Sequence, residues 1–114
     1  MNDNDVEIEI QDKGLTAPRV TPERIQEVTT SAAYHVFGTT TVCCLSLVNG
    51  FNVIGESACA SPENFDEELG RKIAFKNAVE KVWMLEGYLL KQYLYESSEE
   101  FLASVADTSE ADPE

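Results

Sequence analysis

The sequence predicts an α+β domain with an N-terminal helix, a β-hairpin and a long C-terminal helix, assembled as a homo-oligomer. Two observations predict these elements. Apolar residues recur at helical spacing in two segments, from Thr21 to about Gly38 and from Ser61 to about Tyr95. Between these segments lie two runs rich in β-branched residues, separated by Asn49-Gly50. The 114 residues leave room for one domain.

The first predicted helix begins at Thr21-Pro22-Glu23. A threonine can cap a helix, proline fits its first position, and an acid is favourable at the positive end of the helix dipole. The helix is expected to run for about 15 residues and to end near Phe37-Gly38. Its apolar positions are Ile25, Val28, Ala32 and Val36.

The hairpin is predicted from the turn at Asn49-Gly50, because both central positions of a type I′ turn need positive φ. A two-residue turn would place Leu45 opposite Ile54 and Cys43 opposite Glu56, so that Glu56 shares an apolar face. Both faces of this hairpin carry large apolar side chains. Because one short chain has few elements to cover them, we expect copies of the chain to associate.

The second helical segment starts with Ser61-Pro62-Glu63, which repeats the capping pattern of the first. Gly70 and Gly87 weaken a helix, so a break or a close backbone approach is expected near either. Two stripes follow at about 100° per residue. The predicted core stripe is Ala74, Phe75, Ala78, Val82, Leu85, Leu89 and Tyr93, and the second stripe is Lys72, Lys76, Val79, Trp83, Leu90 and Leu94.

The net charge of −13 is concentrated at the two ends of the chain, which carry ten of the excess negative charges. We therefore predict a flexible segment over 1–19, one domain over 20–96 and an acidic disordered tail over 97–114. Val6 to Ile10 alternates and leaves open an additional edge strand. A chain this acidic disfavours direct nucleic-acid binding. No apolar run suits a membrane helix and the first residues lack the basic start of a secretion signal, so we expect a cytoplasmic protein.

Three cysteines and one histidine do not form a metal-binding pattern. Cys43 and Cys44 are adjacent in a predicted strand and point to opposite faces, and no C-x-x-C spacing exists. His35 is expected at the end of the first helix in a structural role. The run from Gly55 to Cys59 departs from a nucleophile elbow at its fifth position. We therefore expect no cofactor, no metal and no enzymatic activity.

Several motifs occur together between roughly Val20 and Tyr95. They are Thr21-Pro22-Glu23-Arg24-Ile25, Tyr34-His35, Asn49-Gly50-Phe51, Gly55-Glu56-Ser57-Ala58-Cys59-Ala60, Asn64-Phe65-Asp66-Glu67-Glu68, Gly70-Arg71-Lys72, Trp83 and Leu85-Glu86-Gly87-Tyr88-Leu89-Leu90. Together these motifs resemble a family of small proteins from tailed bacteriophages, named after gene product 49 and gene product 66 of two enterobacterial phages. The resemblance implies a phage or prophage gene, without implying an activity or catalytic residues.

A ligand-binding site is predicted on the second stripe. Lys72, Lys76 and Trp83 share one helix face with Arg71 beside them, which suits an anion that carries a planar ring. The competing interpretation is structural, since Glu67 with Arg71 and Glu68 with Lys72 have the spacing of ion pairs within a helix. The remaining candidate is Glu56, whose carboxylate among apolar groups needs a partner, either Arg71 or a ligand.

The leading hypothesis is a non-enzymatic phage protein that sequesters a small host immune-signalling nucleotide in pockets between subunits, inside the infected bacterium. Its partners would be other copies of the chain and this anionic ligand, with no nucleic acid and no membrane. Two alternatives remain open. One is an inhibitor or adaptor that binds a host defence or replication protein, and the other is an acidic mimic of DNA.

Overall fold

A computed structural model describes residues 2–15 and 17–111. The α+β class is confirmed, whereas self-association remains a prediction. The elements in chain order are helix α1 (Asp3–Asp12), helix α2 (Pro22–Val28), strands β1 (Thr29–Phe37), β2 (Thr40–Leu47) and β3 (Asn52–Ala58), a short 3-10 helix (Pro62–Asn64), and helices α3 (Glu67–Glu96) and α4 (Glu99–Ala111).

The first predicted helix is wrong beyond Val28. The Thr21 side chain caps α2 as expected, accepting from the Arg24 N–H at 3.2 Å. From Thr29 onwards, however, the chain is strand β1, which turns the expected hairpin into an antiparallel sheet of order β1-β2-β3. The spacing of four between Val28, Ala32 and Val36 is compatible with a strand as well as a helix, because four is also a multiple of two.

The β2–β3 hairpin forms, but its register is one residue away from the prediction. Leu45 lies opposite Val53, because the turn contains three residues and ends in Gly50 at φ 90°. The Gly50 N–H donates to the Leu47 carbonyl at 2.9 Å, which closes this turn. Because of this shift of one residue, the Glu56 side chain lies on the other face of the sheet from Leu45.

Helix α3 crosses one face of the sheet and forms the core with β2 and β3. The approach is very close: a Cβ on Gly55 would lie 2.2 Å from the Ala78 nitrogen and 2.3 Å from the Ala74 carbonyl oxygen. Gly70 makes the second close approach, against Thr41. The buried hydrophobic residues are Ile25, Val28, Cys43, Leu45, Leu47, Val53, Ala74, Ala78 and Val82.

Helix α3 starts at Glu67, later than predicted, because the Asp66 side chain caps it at the Leu69 N–H. It continues unbroken for 30 residues, about 45 Å at 1.5 Å per residue. A strand of eight residues spans only about 26 Å, so the second half of the helix extends past the sheet. Of the predicted core stripe, Ala74, Ala78 and Val82 are buried, whereas Phe75, Leu85, Leu89 and Tyr93 are exposed.

Both acidic ends are helical where the structure describes them. Residues 3–12 form α1 rather than an edge strand, with the Asn2 side chain accepting from the Asp5 N–H at 2.8 Å. The segment expected to be a disordered tail contains α4, whose start is capped where the Ser98 hydroxyl accepts from the Phe101 N–H. Its last three residues lie outside the described residues. No helix in the described ranges is both long enough and apolar enough to cross a membrane.

Candidate functional site

Two predicted ligand-binding residues, Lys76 and Trp83, line one groove between α2 and α3. The groove has a volume of about 700 Å³, which is within the range of small-molecule sites. Its lining is more apolar than polar, and the first residues of α1 contribute to it. The lining residues are Asn2, Asp3, Asn4, Pro22, Ile25, Gln26, Thr29, Phe75, Lys76, Val79, Glu80 and Trp83.

The α2 wall of this groove is fixed by an ion pair to α3. Arg24 Nε donates to Glu86 Oε1 at 2.9 Å, and the Glu86 side chain is largely shielded from solvent. This hydrogen bond, followed by the Glu86 charge, raises the pKa of Arg24. The buried Ile25 and Val28 anchor the same helix to the core. The groove therefore lies between two elements that are held together independently of α1.

Trp83 is half-buried and packs against the hydrophobic core. Its indole Nε1 donates to Asp3 Oδ2 at 3.1 Å, a contact between residues 80 positions apart in the chain. An ion pair between Glu7 and Arg19 also connects helix α1 to the segment that precedes α2. A carboxylate therefore already occupies the hydrogen-bonding position at the Trp83 indole.

Lys76 is exposed, and no ion pair within the described residues involves it. It lines the groove together with two acids, Glu80 and Asp3. Because an unpaired ammonium group keeps all three donors available, Lys76 can bind an anion that enters the groove.

The other two predicted cations, Arg71 and Lys72, line a second groove of about 590 Å³ with Glu68, Phe75 and Tyr34. Both are paired as the structural interpretation predicted. Arg71 Nη1 lies 2.9 Å from Glu67 Oε1, and Lys72 Nζ lies 3.7 Å from Glu68 Oε2. Phe75 lines both grooves, so the predicted site is divided in two at this ring.

Tyr34 of β1 contributes a phenol to the second groove. Burial raises the pKa of Tyr34, and the neighbouring Cys43 thiol raises it further, while Arg71 opposes the shift. The phenol is therefore protonated at neutral pH and can act as a hydrogen-bond donor. Burial also raises the pKa of Cys43, which keeps its thiol in the neutral form.

Glu56 lies outside both grooves. It pairs with Val42 and shares the face of β3 that points away from α3, where it is exposed. Its backbone contacts the helix through a hydrogen bond of 2.8 Å that Asn77 Nδ2 donates to the Glu56 carbonyl. The predicted partnership with Arg71 depended on the incorrect hairpin register and is not formed.

Asp3, Tyr34 and Phe75 are groove residues that were not predicted from the sequence. Phe75 was assigned to the core, and Tyr34 and His35 were assigned to a helix end. His35 is instead exposed on β1, with its ring centroid 4.2 Å from that of Phe37. Only the aromatic and β-branched composition of residues 34–37 could have indicated a strand there. No local signal connects Asp3 with Trp83.

The fold and the two grooves define a small α+β protein with aromatic and basic side chains along one face of its long helix. The chain belongs to the phage protein (N4 Gp49/phage Sf6 gene 66) family, whose family model matches residues 20–94. This match confirms the resemblance inferred from the sequence. It extends from the start of α2 almost to the end of α3. No curated protein and no solved structure gives a match.

Proposed function

We propose that this phage-family protein is a non-enzymatic binding protein that sequesters a small host immune-signalling nucleotide in the cytoplasm of the infected bacterium. One observation carries the proposal. Trp83 lines the same groove as Lys76, which has no ion-pair partner in the part of the chain that the structure describes, and the indole N–H already binds an anionic group, the carboxylate of Asp3.

The chemistry of the groove suits a nucleotide better than a simple anion. Aromatic side chains bind bases by stacking, which contributes about 1–3 kcal/mol per base in single-stranded nucleic-acid complexes. The Phe75 and Trp83 rings line the groove with Lys76, which can meet a phosphate. A volume of about 700 Å³ has room for a base, a sugar and phosphates.

The residues that line this groove all belong to one chain, so the proposal no longer needs a second subunit to complete the pocket. A ligand that reaches the Trp83 N–H has to replace the Asp3 carboxylate. Helix α1 has no buried residue and few contacts with the rest of the protein, so its displacement breaks little beyond the Glu7–Arg19 ion pair and the Trp83–Asp3 hydrogen bond. Replacing Asp3 with asparagine is therefore expected to tighten ligand binding.

Isothermal titration calorimetry with cyclic dinucleotides, cyclic trinucleotides and cyclic ADP-ribose isomers tests the proposal. Lys76→Gln removes the free ammonium group and is expected to weaken binding by roughly tenfold or more, since hydrogen bonds to charged groups contribute about 1.5–3 kcal/mol. Lys91→Gln is the matched control, because Lys91 is an exposed lysine of the same helix outside the two grooves.

Trp83 is the single tryptophan of the chain, so its fluorescence reports directly on the groove. A bound nucleotide should quench this fluorescence with the same dissociation constant that calorimetry gives. Absence of heat and of quenching with all three ligand classes, at protein concentrations well above micromolar, would contradict the proposal. An equal loss of affinity in the Lys76 and Lys91 variants would place the site elsewhere.

A second candidate function is inhibition of a host defence or replication protein by direct contact. The second half of α3 favours it, because Met84 and Tyr88 are 69% and 72% exposed. An exposed apolar surface of this kind is typical of a protein interface. One stoichiometric host partner retained by the unmodified protein, and lost in a Tyr88→Lys variant, would favour this function over nucleotide binding.

A further inference from the structure

Strand β1 is an edge of the sheet, and its outer side is unpaired. It pairs with β2 on one side, and its other main contacts are with α2, the element directly before it. Among the described residues, no backbone hydrogen bond joins residues 29–37 to anything beyond β2. The strand therefore presents a row of free N–H and C=O groups along its outer edge.

This edge has little of the protection that natural edge strands usually carry. Charged side chains, prolines, bulges and covering loops are the common devices that prevent strand addition. Residues 29–37 contain no proline and no Asp, Glu, Lys or Arg. One bulge lies near Thr30, and the pairing is regular from Ser31 to Phe37. Seven consecutive residues are thus free to accept another strand.

The charge distribution indicates which strand this edge accepts. The chain has a net charge of −13, yet residues 28–55 contain no Asp, Glu, Lys or Arg. Two copies of so acidic a protein repel one another at most orientations, and an uncharged strand edge lets them meet without opposing like charges. The strand itself offers no charge to a basic or acidic partner, and the nearby cations Arg71 and Lys72, beside Tyr34, are already paired within α3.

We propose that β1 pairs with β1 of a second copy in antiparallel orientation, joining two three-stranded sheets into one six-stranded sheet. Antiparallel pairing of identical strands about a twofold axis is self-complementary, which is the usual symmetry of a dimer. The twofold axis lies either at Ala33, the middle of β1, or at Tyr34, the middle of the regularly paired part from Ser31 to Phe37. This proposal is independent of the proposed function.

Ala33 offers a sharp test, because its side chain is exposed on the face away from α3. With the axis at Ala33 or Tyr34, the two copies of position 33 lie directly opposite or diagonally adjacent. Ala33→Lys and Ala33→Glu should each raise the dissociation constant of the dimer by roughly tenfold or more through like-charge repulsion. An equimolar mixture of the two variants should restore association as a heterodimer.

Sedimentation velocity on the full chain measures these states, and circular dichroism verifies that each variant is folded. Ala103→Lys and Ala103→Glu, on the exposed side of α4, are the matched controls and should sediment like the unmodified chain. Any of three results would overturn the proposal: a monomeric unmodified chain, unchanged association in both Ala33 variants, or no recovery in their mixture.

Discussion

At the scale of single residues, Thr41 is the most unusual side chain of the core. It is fully buried, and its Oγ1 has no hydrogen-bond partner among the described residues. The hydroxyl packs against Gly70, where a Cβ would lie 2.7 Å from Oγ1. An unsatisfied buried hydroxyl costs free energy because it loses its hydrogen bonds to water.

Thr41→Val replaces this hydroxyl with a methyl group of similar size. We expect the free energy of unfolding to rise by about 1 kcal/mol, since the penalty of an unpaired buried polar group is about 1–3 kcal/mol and part of it is offset by small changes in packing. Urea denaturation of both proteins measures the difference. A clear loss of stability would show that the hydroxyl has a bonding partner, such as a water molecule.

At the scale of elements, the packing of α3 on β3 depends on the absence of a side chain at Gly55. Ala74 and Ala78 present their backbone to this position, so the helix approaches the strand more closely than any larger residue permits. The small residues thus set the distance between helix and sheet. Both grooves are lined by residues of this same helix.

Gly55→Ala is therefore expected to lower the free energy of unfolding by about 3 kcal/mol or more, because α3 has to move away from the sheet. Gly87→Ala is the matched control. Gly87 lies inside α3, and a Cβ added there would meet nothing within 4 Å. That variant should gain about 0.5–1 kcal/mol from helix propensity. Thermal unfolding of the two variants separates steric from backbone effects.

At the scale of the whole molecule, the second half of α3 leaves an apolar surface without a partner among the described residues. Leu89 and Tyr93 are 56% and 65% exposed, although both were predicted to lie in the core. Their burial requires a second molecule, because α4 contacts only part of the end of the helix. We therefore expect self-association here in addition to the β1 edge.

Leu89→Gln should weaken this association without lowering the stability of the isolated chain, since Leu89 makes little contact with its own core. Size-exclusion chromatography with light scattering should show a smaller mass for Leu89→Gln than for the Lys91→Gln control. An identical mass for both variants across a dilution series would exclude the second half of α3 as an oligomer interface.

Local patterns explain which elements were predictable. The Asn49-Gly50 turn, the cap at Thr21 and the burial of Ala74, Ala78 and Val82 follow from interactions between residues near in sequence or from one helical stripe. The ion pairs of Arg71 and Lys72 were predictable for the same reason. The change from helix to strand at Thr29 was not, because the spacing of its apolar residues fits both structures and pairing with β2 decides between them.

Motifs and periodicity were enough to predict the α+β class, the family, the position of the long helix and the concentration of cations and Trp83 on one of its faces. Which of these residues share a groove depends on how the elements pack in three dimensions. A single additional residue in the turn placed Glu56 on the other side of the sheet, and the docking of α1 brought Asp3 to Trp83. Both outcomes depend on contacts between distant parts of the chain, which local periodicity does not encode.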